Sequence, residues 1–190
     1  GEGSIPCDFV VLAGGKDTHR LAGLADISVP QYDTFGCTIV TEPMPKLFKT
    51  VAAFHSPQDT EPMANFRQFS DGTVMIQSRS LDNEYGGDRG ETDEEVSAIL
   101  TDAIDILPAL KGAVVKEVRR GRRPIPRDGE PVVGFAGPGS NLYLTTTHSG
   151  VTLAPLLGEL AAIEIVQGIE VELLKPFRLT RFGAAETAER

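Results

Sequence analysis

The chain has few of the residues that build cross-linked or metal-stabilised folds. It contains no tryptophan, two cysteines and three histidines in 190 residues. Two cysteines are too few for a disulfide framework, and His19, His55 and His148 are not spaced as metal ligands. We therefore expect a reduced, intracellular type of fold held together by an ordinary apolar core, and we expect no metal site.

Positive charge and long apolar runs are scarce as well. Lys and Arg number 18 against 27 Asp and Glu, which gives a formal net charge of −9. A surface of that sign repels nucleic acid and anionic membranes. The longest apolar stretch, residues 151–166, is interrupted by Pro155, Gly158 and two glutamates, and is shorter than the ~20 residues of a membrane span. With no basic-then-apolar leader at the start, the composition predicts a cytoplasmic protein without nucleic-acid partner or membrane span.

Strand and helix patterns alternate near both ends of the chain. CDFVVLAGG at residues 7–15 is typical of a buried strand that ends in a glycine turn, and a short helix is predicted over 16–24. Near the other end, the strand NLYLTTT leads through the turn HSG into the apolar helix of residues 151–166. These two parts together predict a mixed α/β unit.

The middle of the chain has a different pattern. Residues 32–79 read as antiparallel strands, with Asp71-Gly72 as a two-residue type I′ hairpin turn. An amphipathic helix follows over 92–107 and ends at Pro108. We predict an α+β fold in which residues 33–118, an antiparallel sheet with one helix, are inserted into a unit made of residues 1–32 and 119–182. Residues 183–190 are predicted to be a tail.

The turn at residues 147–150 precedes the most hydrophobic helix of the chain. The start of a helix has unpaired backbone N–H groups and a partial positive charge, so it can receive an anion or a carbonyl oxygen. A glycine in such a turn lets a ligand approach the backbone closely. The alternative is that Thr147 or Ser149 caps the helix and nothing binds there. Both interpretations are open at this point.

The segment RRGRRP, residues 119–124, has four arginines in five positions. Strand alternation would direct Arg120 and Arg122 to one face and Arg119 and Arg123 to the other. Arginine suits a carboxylate substrate because its planar, permanently charged group donates two parallel hydrogen bonds. For Arg119, Arg120 and Arg122 we favour a solvated basic strand in an acidic protein.

Four segments together resemble the FAD-dependent oxidoreductases of the D-amino-acid oxidase superfamily, above all the glycine/sarcosine oxidase and D-amino-acid dehydrogenase branch. They are CDFVVLAGG, GRRPIPRDGEPVVG, NLYLTTTHSGVTLAPLLGELAAIEI and KPFRLTRF. The resemblance implies an FAD cofactor and hydride transfer from a small amino-acid or amine substrate to the flavin. It also implies that the α/β unit is part of an FAD-binding domain and that the inserted sheet binds substrate.

The resemblance also implies roles for individual residues. Arg123 and His148 would contact the substrate, Arg123 through the carboxylate. The residues that would contact the cofactor are Ala13, Gly14, His148, Ser149, Gly150, Val151, Thr152 and Leu153. The turn before the helix is shorter than in glycine oxidase-like sequences and lacks an arginine that they carry. An α-amino acid, a proline-like imino acid and an N-methyl amine are therefore all possible substrates, and no catalytic acid or base is assigned.

One motif of that superfamily is missing. The FAD-binding domain begins with GxGxxG, whose backbone holds the pyrophosphate, and this sequence contains no GxGxxG. We therefore expect the C-terminal part of an oxidoreductase, with a missing N-terminal chain or subunit that carries the motif. The chain could be a proteolytic product, a truncated chain or a split subunit; the start without methionine favours the first two, which the sequence does not rank. The alternative function is a non-catalytic fragment or partner subunit that completes a flavoenzyme assembly and has no activity alone.

Overall fold

The computed structural model describes residues 3–50, 53–55, 64–78 and 93–183. The chain divides into two compact units, one of Gly1–Asp33 with Arg123–Arg190 and one of Thr34–Arg122. The first unit is thus built from both ends of the chain, and the second lies between them in sequence. The assignment of the first unit to FAD binding and of the second to substrate binding stays a prediction.

Strands and α-helices follow one another in mixed order along the described residues. They are β1 (Val10–Leu12), α1 (Thr18–Gly23), β2 (Gln31–Thr41), β3 (Ala53–His55), β4 (Ala64–Gln68), β5 (Val74–Ser78), α2 (Asp93–Ile106), β6 (Val115–Pro126), β7 (Val132–Phe135), β8 (Leu142–Thr146) and α3 (Gly150–Gln167). Within the described residues, each unit contains one sheet. The sheet of the first unit includes a parallel pair, and that of the second is largely antiparallel. This confirms the predicted α+β fold class.

The sheet of the first unit has the strand order β1-β8-β7. β1 is parallel to β8, with Val10 opposite Leu142 and Leu12 opposite Leu144. β7 is antiparallel to β8 on the other side. β8 is therefore the central strand, and its residues are apolar and buried at three consecutive positions, 142–144, because both faces of the strand are covered. One core cluster lies against α1 and a second against α3.

The sheet of the second unit has the order β3-β4-β5-β2-β6. Alternate residues of its strands point towards α2, whose apolar stripe has the helical spacing that the sequence shows. The core between them consists of Cys37, Ile39, Ala64, Phe66, Val74, Ile76, Ile99, Ala103 and Leu110. Phe66 stacks on Phe54 at a ring-centroid distance of 4.7 Å and on Phe48 at 6.4 Å.

The hairpin between β4 and β5 differs from the predicted two-residue type I′ turn. Phe69 N–H donates to Thr73 O at 2.9 Å, and Gly72 N–H donates to Phe69 O at 3.1 Å. These bonds enclose a three-residue loop, residues 70–72, in which Gly72 has a φ of 88° while Asp71 does not have a positive φ. A type I′ turn needs positive φ at both central residues, so the observed loop is a type I turn followed by a left-handed glycine.

Helix α3 is apolar on nearly every side, yet it buries only Leu157, Ala161 and Glu164 within the chain. By length and composition alone it is also the one helix of the described residues that could cross a membrane. Val151, at the start of the helix, is 96% exposed. A helix that is hydrophobic all round is normally covered on all sides, by protein or by lipid. The predicted absence of a membrane span therefore stays a prediction.

A buried ion pair fastens α3 to the sheet. Glu164, only 4% exposed, accepts hydrogen bonds from Tyr143 Oη at 2.7 Å, from Val171 N at 2.8 Å and from Arg178 Nη1 at 2.8 Å. A further bond from Arg178 Nη2 makes the ion pair bidentate. Burial alone would raise the pKa of Glu164, but the hydrogen bonds from Arg178 and Tyr143 outweigh it, so the pKa is lowered.

Gly134 is required beside this ion pair. A Cβ atom at Gly134 would lie 2.5 Å from Arg178 Nη1, and the φ of 133° is one that side-chain-bearing residues rarely adopt. The absence of a side chain at position 134 therefore lets the guanidinium reach Val133 O, at 3.2 Å, and Glu164 together.

Glu164→Gln is expected to destabilise the protein by about 3–5 kcal/mol at neutral pH, because it leaves the partly buried guanidinium of Arg178 without its counter-charge. Since the folded pKa lies below the ordinary value of 4.5, the stabilisation is complete above that value and is lost as the pH falls through the folded pKa. Unfolding by denaturant, measured as a function of pH for wild type and variant, should show the difference shrinking below pH 4.5.

The matched control is Glu172→Gln, which removes a carboxylate from an exposed ion pair with Lys175. Exposed pairs contribute little, so this change should alter the stability by less than about 1 kcal/mol at any pH. A stability difference for Glu164→Gln that was the same in acid as at neutral pH would contradict the assignment.

Candidate functional site

Two turns meet at one edge of the first unit's sheet. β1 and β8 are parallel and in register up to Leu12 and Leu144, so the chain leaves both strands at the same edge. We call residues 13–17 the β1 turn and residues 147–150 the β8 turn. In open α/β sheets, ligands bind in the crevice outside the carboxyl ends of parallel strands. The structure therefore brings together the two turns for which cofactor contacts are predicted.

The β8 turn is not closed by a side-chain cap. Ser149 stands at the N-cap of α3, and its side chain makes no capping hydrogen bond. Instead, Ser149 N–H donates to Thr147 Oγ1 at 3.3 Å, and Ser149 Oγ lies 3.3 Å from His148 Nδ1. Neither Thr147 nor Ser149 therefore caps the helix through its side chain, while ligand binding at this turn stays a prediction. His148 is exposed, with its ring at the surface of the unit.

The first turn of α3 presents backbone donors to this edge. The first helical hydrogen bond runs from Leu153 N–H to Ser149 O at 3.0 Å. Within the described part of the chain, no group accepts a hydrogen bond from the N–H of Gly150, Val151 or Thr152. A Cβ atom at Gly150 would meet nothing within 4 Å, so the backbone there faces open space. Such donors, with the partial positive charge of the helix start, stabilise negative charge on a ligand.

The β1 turn is shaped by α1. Ala13 is exposed at the end of β1, while a Cβ atom at Gly14 would lie 2.9 Å from Leu21 Cδ1 and 3.4 Å from Thr18 N. A side chain at position 14 would displace the end of the Leu21 side chain, so the close approach at Gly14 is that of the chain's own helix. The prediction that Ala13 and Gly14 contact a dinucleotide stays a prediction.

Two residues that sequence patterns did not single out stand at the same edge. Thr18 is fully buried, and its Oγ1 has no hydrogen-bond partner among the described residues. Buried hydroxyl groups are nearly always hydrogen-bonded, so this oxygen fits a site where a ligand supplies the missing partner. Through its side chain, Gln31 contacts Gly15 in the β1 turn and Thr146, the residue immediately before the β8 turn. Neither residue belongs to a motif, and only the fold brings them to the edge.

Arg123 lies on β6, three residues before the strand ends, and is partly buried with its Nε shielded from solvent. Exposure along β6 does not follow the predicted alternation, because Arg120 is also partly buried while Arg119 and Arg122 are exposed. Arg119 forms an ion pair with Glu117 at 2.8 Å, as expected for a solvated basic strand. The guanidinium of Arg122 lies over the ring of Phe35, at 5.1 Å.

A cavity of about 670 Å³ opens at the opposite edge of the same sheet. Phe9 and Asn141, which line it, precede β1 and β8, and the ring of Phe135 and the Glu164–Arg178 ion pair form other walls. None of the predicted site residues lines this cavity. The cavity is therefore separate from the edge where the two turns meet.

Comparison with known proteins matches residues 1–163 to the family described as FAD dependent oxidoreductase, DAO. The chain is 32% identical over 179 residues to one subunit of the opine oxidase of Agrobacterium tumefaciens (strain Ach5). It is 30% identical over 185 residues to the corresponding opine oxidase subunit of Rhizobium meliloti. Each alignment covers 93% of this chain and 44% of the relative. The chain therefore spans less than half the length of these curated relatives.

Solved structures show the same relation. Glycine oxidase from Geobacillus kaustophilus superimposes with a TM-score of 0.75 at 25% identity, over 91% of this chain and 45% of that one. L-Proline dehydrogenase from P. horikoshii superimposes with a TM-score of 0.77 at 18% identity, over 93% and 47%. The second likeness concerns the fold alone. The resemblance noted in the sequence is thereby confirmed, and the chain belongs to the DAO family of FAD-dependent oxidoreductases.

Proposed function

We propose that this chain is the C-terminal part of an FAD-dependent enzyme that oxidises the C–N bond of a small amino acid or amine. The observation that carries the proposal is the start of α3, where three backbone N–H groups lack partners among the described residues beside the open face of Gly150. When bound, FAD would supply the acceptor for the substrate's hydride. Family membership supports the cofactor and the reaction class.

The residues at the edge fit this cofactor in three ways. The N–H groups of Gly150, Val151 and Thr152 would stabilise negative charge on a reduced flavin ring, and Leu153 is likewise assigned to the cofactor. The exposed Val151 side chain offers apolar contact to a flat ring. The unpartnered Thr18 hydroxyl supplies a further hydrogen-bonding group at the β1 turn. His148 is accessible to flavin or substrate, and Arg123 is assigned to the substrate carboxylate.

A second polypeptide part is required for a complete FAD-binding unit. β1 has β8 on one side, and no strand of the described residues pairs with its other edge. Val10 and Val11 point to opposite faces of β1 and are 39% and 48% exposed. Strands of a parallel sheet are normally covered on both faces, so these valines and α3 present a surface that another part of the protein would cover. We assign this role to the missing half with its GxGxxG motif.

We propose several substrate classes but a single cofactor. α-Amino acids, proline-like imino acids and N-methyl amines remain candidates, and the name of the two curated relatives adds opines. The competing function is that of a non-catalytic fragment or partner subunit. Its support is the missing GxGxxG and the coverage of 44% of each relative. We propose a cytoplasmic location on the grounds of charge and composition.

The experiment that separates the two functions is visible absorption of the intact native protein that contains this chain. Flavin bands that bleach on addition of an amino acid, imino acid, N-methyl amine or opine would support the oxidoreductase. A colourless protein that takes up no FAD, even with its partner half present, would leave only the non-catalytic function.

Gly150→Val should weaken FAD binding at least ~10-fold without loss of stability, because the new side chain fills the space from which a ligand would approach the N–H groups. Titration of the apoprotein with FAD, followed by flavin fluorescence, measures the change. Gly183→Val is the matched control, since a Cβ atom at Gly183 also meets nothing within 4 Å. Unchanged FAD affinity in Gly150→Val would remove the start of α3 from the site.

Arg123→Gln should lower kcat/KM for carboxylate substrates roughly 10- to 100-fold, the range expected when a hydrogen bond to a charged group is lost. The effect should appear mainly in KM and should be small for an amine without a carboxylate. Arg119→Gln is the control on the same strand, because Arg119 pairs with Glu117 at the surface. Equal losses in both variants would argue against a carboxylate role for Arg123.

A further inference from the structure

One side chain connects the β1 turn to the last residue before the β8 turn. Gln31 is the first residue of β2 and is partly buried. Its amide nitrogen donates to the carbonyl oxygens of Gly15 and Lys16, each at 3.3 Å, and lies 3.4 Å from Nδ1 of His19. Its amide oxygen accepts a hydrogen bond from Thr146 Oγ1 at 3.0 Å. The two ends of one planar group therefore contact two segments that are far apart in the sequence.

The contacts of Gln31 lie at the ends of β1 and β8. Gly15 and Lys16 belong to the β1 turn, and Thr146 is the last residue of β8, immediately before the β8 turn. The backbone pairing of β1 with β8 ends at Leu12 and Leu144, so Gln31 continues the connection beyond the end of the ladder. Thr146 is 2% exposed, which shields its hydroxyl from competing water.

We infer that Gln31 is a positioning residue that sets the spacing of the β1 and β8 turns for FAD. The inference rests on the proposed function, because it assumes that both turns contact the cofactor. A ligand that spans two turns binds best when their separation is fixed beforehand, since otherwise part of the binding energy is used to order them. Gln31 acts through the turns and makes no contact with the cofactor itself.

The chemistry of the contacts requires glutamine at this position. Glutamate has a similar shape but no donor, and its charge would face the carbonyl oxygens of Gly15 and Lys16. Methionine matches the length and makes none of these hydrogen bonds. On the other side, valine in place of Thr146 keeps the shape and removes the hydroxyl, whereas serine keeps the hydroxyl. These substitutions separate hydrogen bonding from packing.

The test compares Gln31→Met, Thr146→Val and the double variant in the intact protein that contains this chain. Three quantities are measured. They are the FAD dissociation constant, obtained by fluorescence titration of the apoprotein, the absorption bands of the bound flavin, and the unfolding temperature. We expect Gln31→Met to weaken FAD binding roughly 10-fold and to shift the flavin bands, as loss of the bridging bonds would predict. Because both residues share one bond, the double variant should bind FAD no more weakly than Gln31→Met.

Two controls distinguish positioning from general stability. Thr146→Ser should retain wild-type FAD affinity, since the hydroxyl remains. Gln68 in the second unit also holds backbone groups, accepting from Leu47 N at 2.7 Å and donating to Pro45 O at 3.0 Å and Gly72 O at 3.2 Å. Gln68→Met should therefore lower the unfolding temperature without changing FAD affinity.

The inference is overturned if Gln31→Met keeps the FAD affinity and flavin bands of the wild type, or if Gln68→Met weakens FAD binding to the same extent. In both cases the wild-type protein binds FAD, so the proposed function survives. A wild-type protein that binds no FAD overturns the proposed function, and the role of Gln31 with it.

Discussion

The parallel pairing of β1 with β8 is the constraint on which the candidate site depends. Because the two strands run in the same direction and in register, turns that are more than a hundred residues apart in the sequence emerge at one edge. An antiparallel arrangement would place them at opposite ends of the sheet. The turn before α3, the glycine turn after β1 and the side chain of Gln31 are close together only because of this pairing.

The same pairing explains why the first unit has so much uncovered apolar surface. A parallel strand in a layered α/β fold has neighbours on both sides and helices on both faces. β1 has one neighbouring strand among the described residues, and α3 buries three of its residues. The exposed valines of β1 and the exposed side of α3 are thus apolar surface that the described residues leave uncovered. The length of the relatives, more than twice that of the matched region, agrees with this view.

Sequence patterns predicted the parts of the fold that depend on local periodicity. The strand NLYLTTT, the turn and α3 lie where expected, because apolar runs and a glycine mark them independently of the rest of the chain. The predicted hairpin turn was wrong because Asp71-Gly72 is compatible with two turn types. The hydrogen bonds from Phe69 N to Thr73 O and from Gly72 N to Phe69 O decide between them. Gln31 could not be found, since its partner Thr146 is 115 positions away and a lone glutamine forms no pattern.

The two glutamates of α3 have different roles, which composition alone does not predict. In the sequence, Glu159 and Glu164 appear as equivalent interruptions of an apolar helix. In the structure, Glu159 is exposed, whereas Glu164 is buried and paired with Arg178, a residue of the segment that follows the helix. The signs of this role were a charge on a strongly apolar helix and an arginine nearby, but no pattern linked the two.

The buried pair also bears on what covers the rest of α3. Arg178 lies between two short 3₁₀ segments, Glu172–Phe177 and Leu179–Arg181, and it binds Val133 O of the sheet as well as Glu164. If α3 entered a bilayer, the ion pair, the irregular segments around Arg178 and the sheet would enter with it. Many backbone polar groups would then lack partners, which hydrocarbon does not tolerate. Protein can cover the outer face of α3 without disturbing the pair on its inner face. The buried glutamate is therefore compatible with a protein cover for α3, and by length and composition the helix could also cross a membrane.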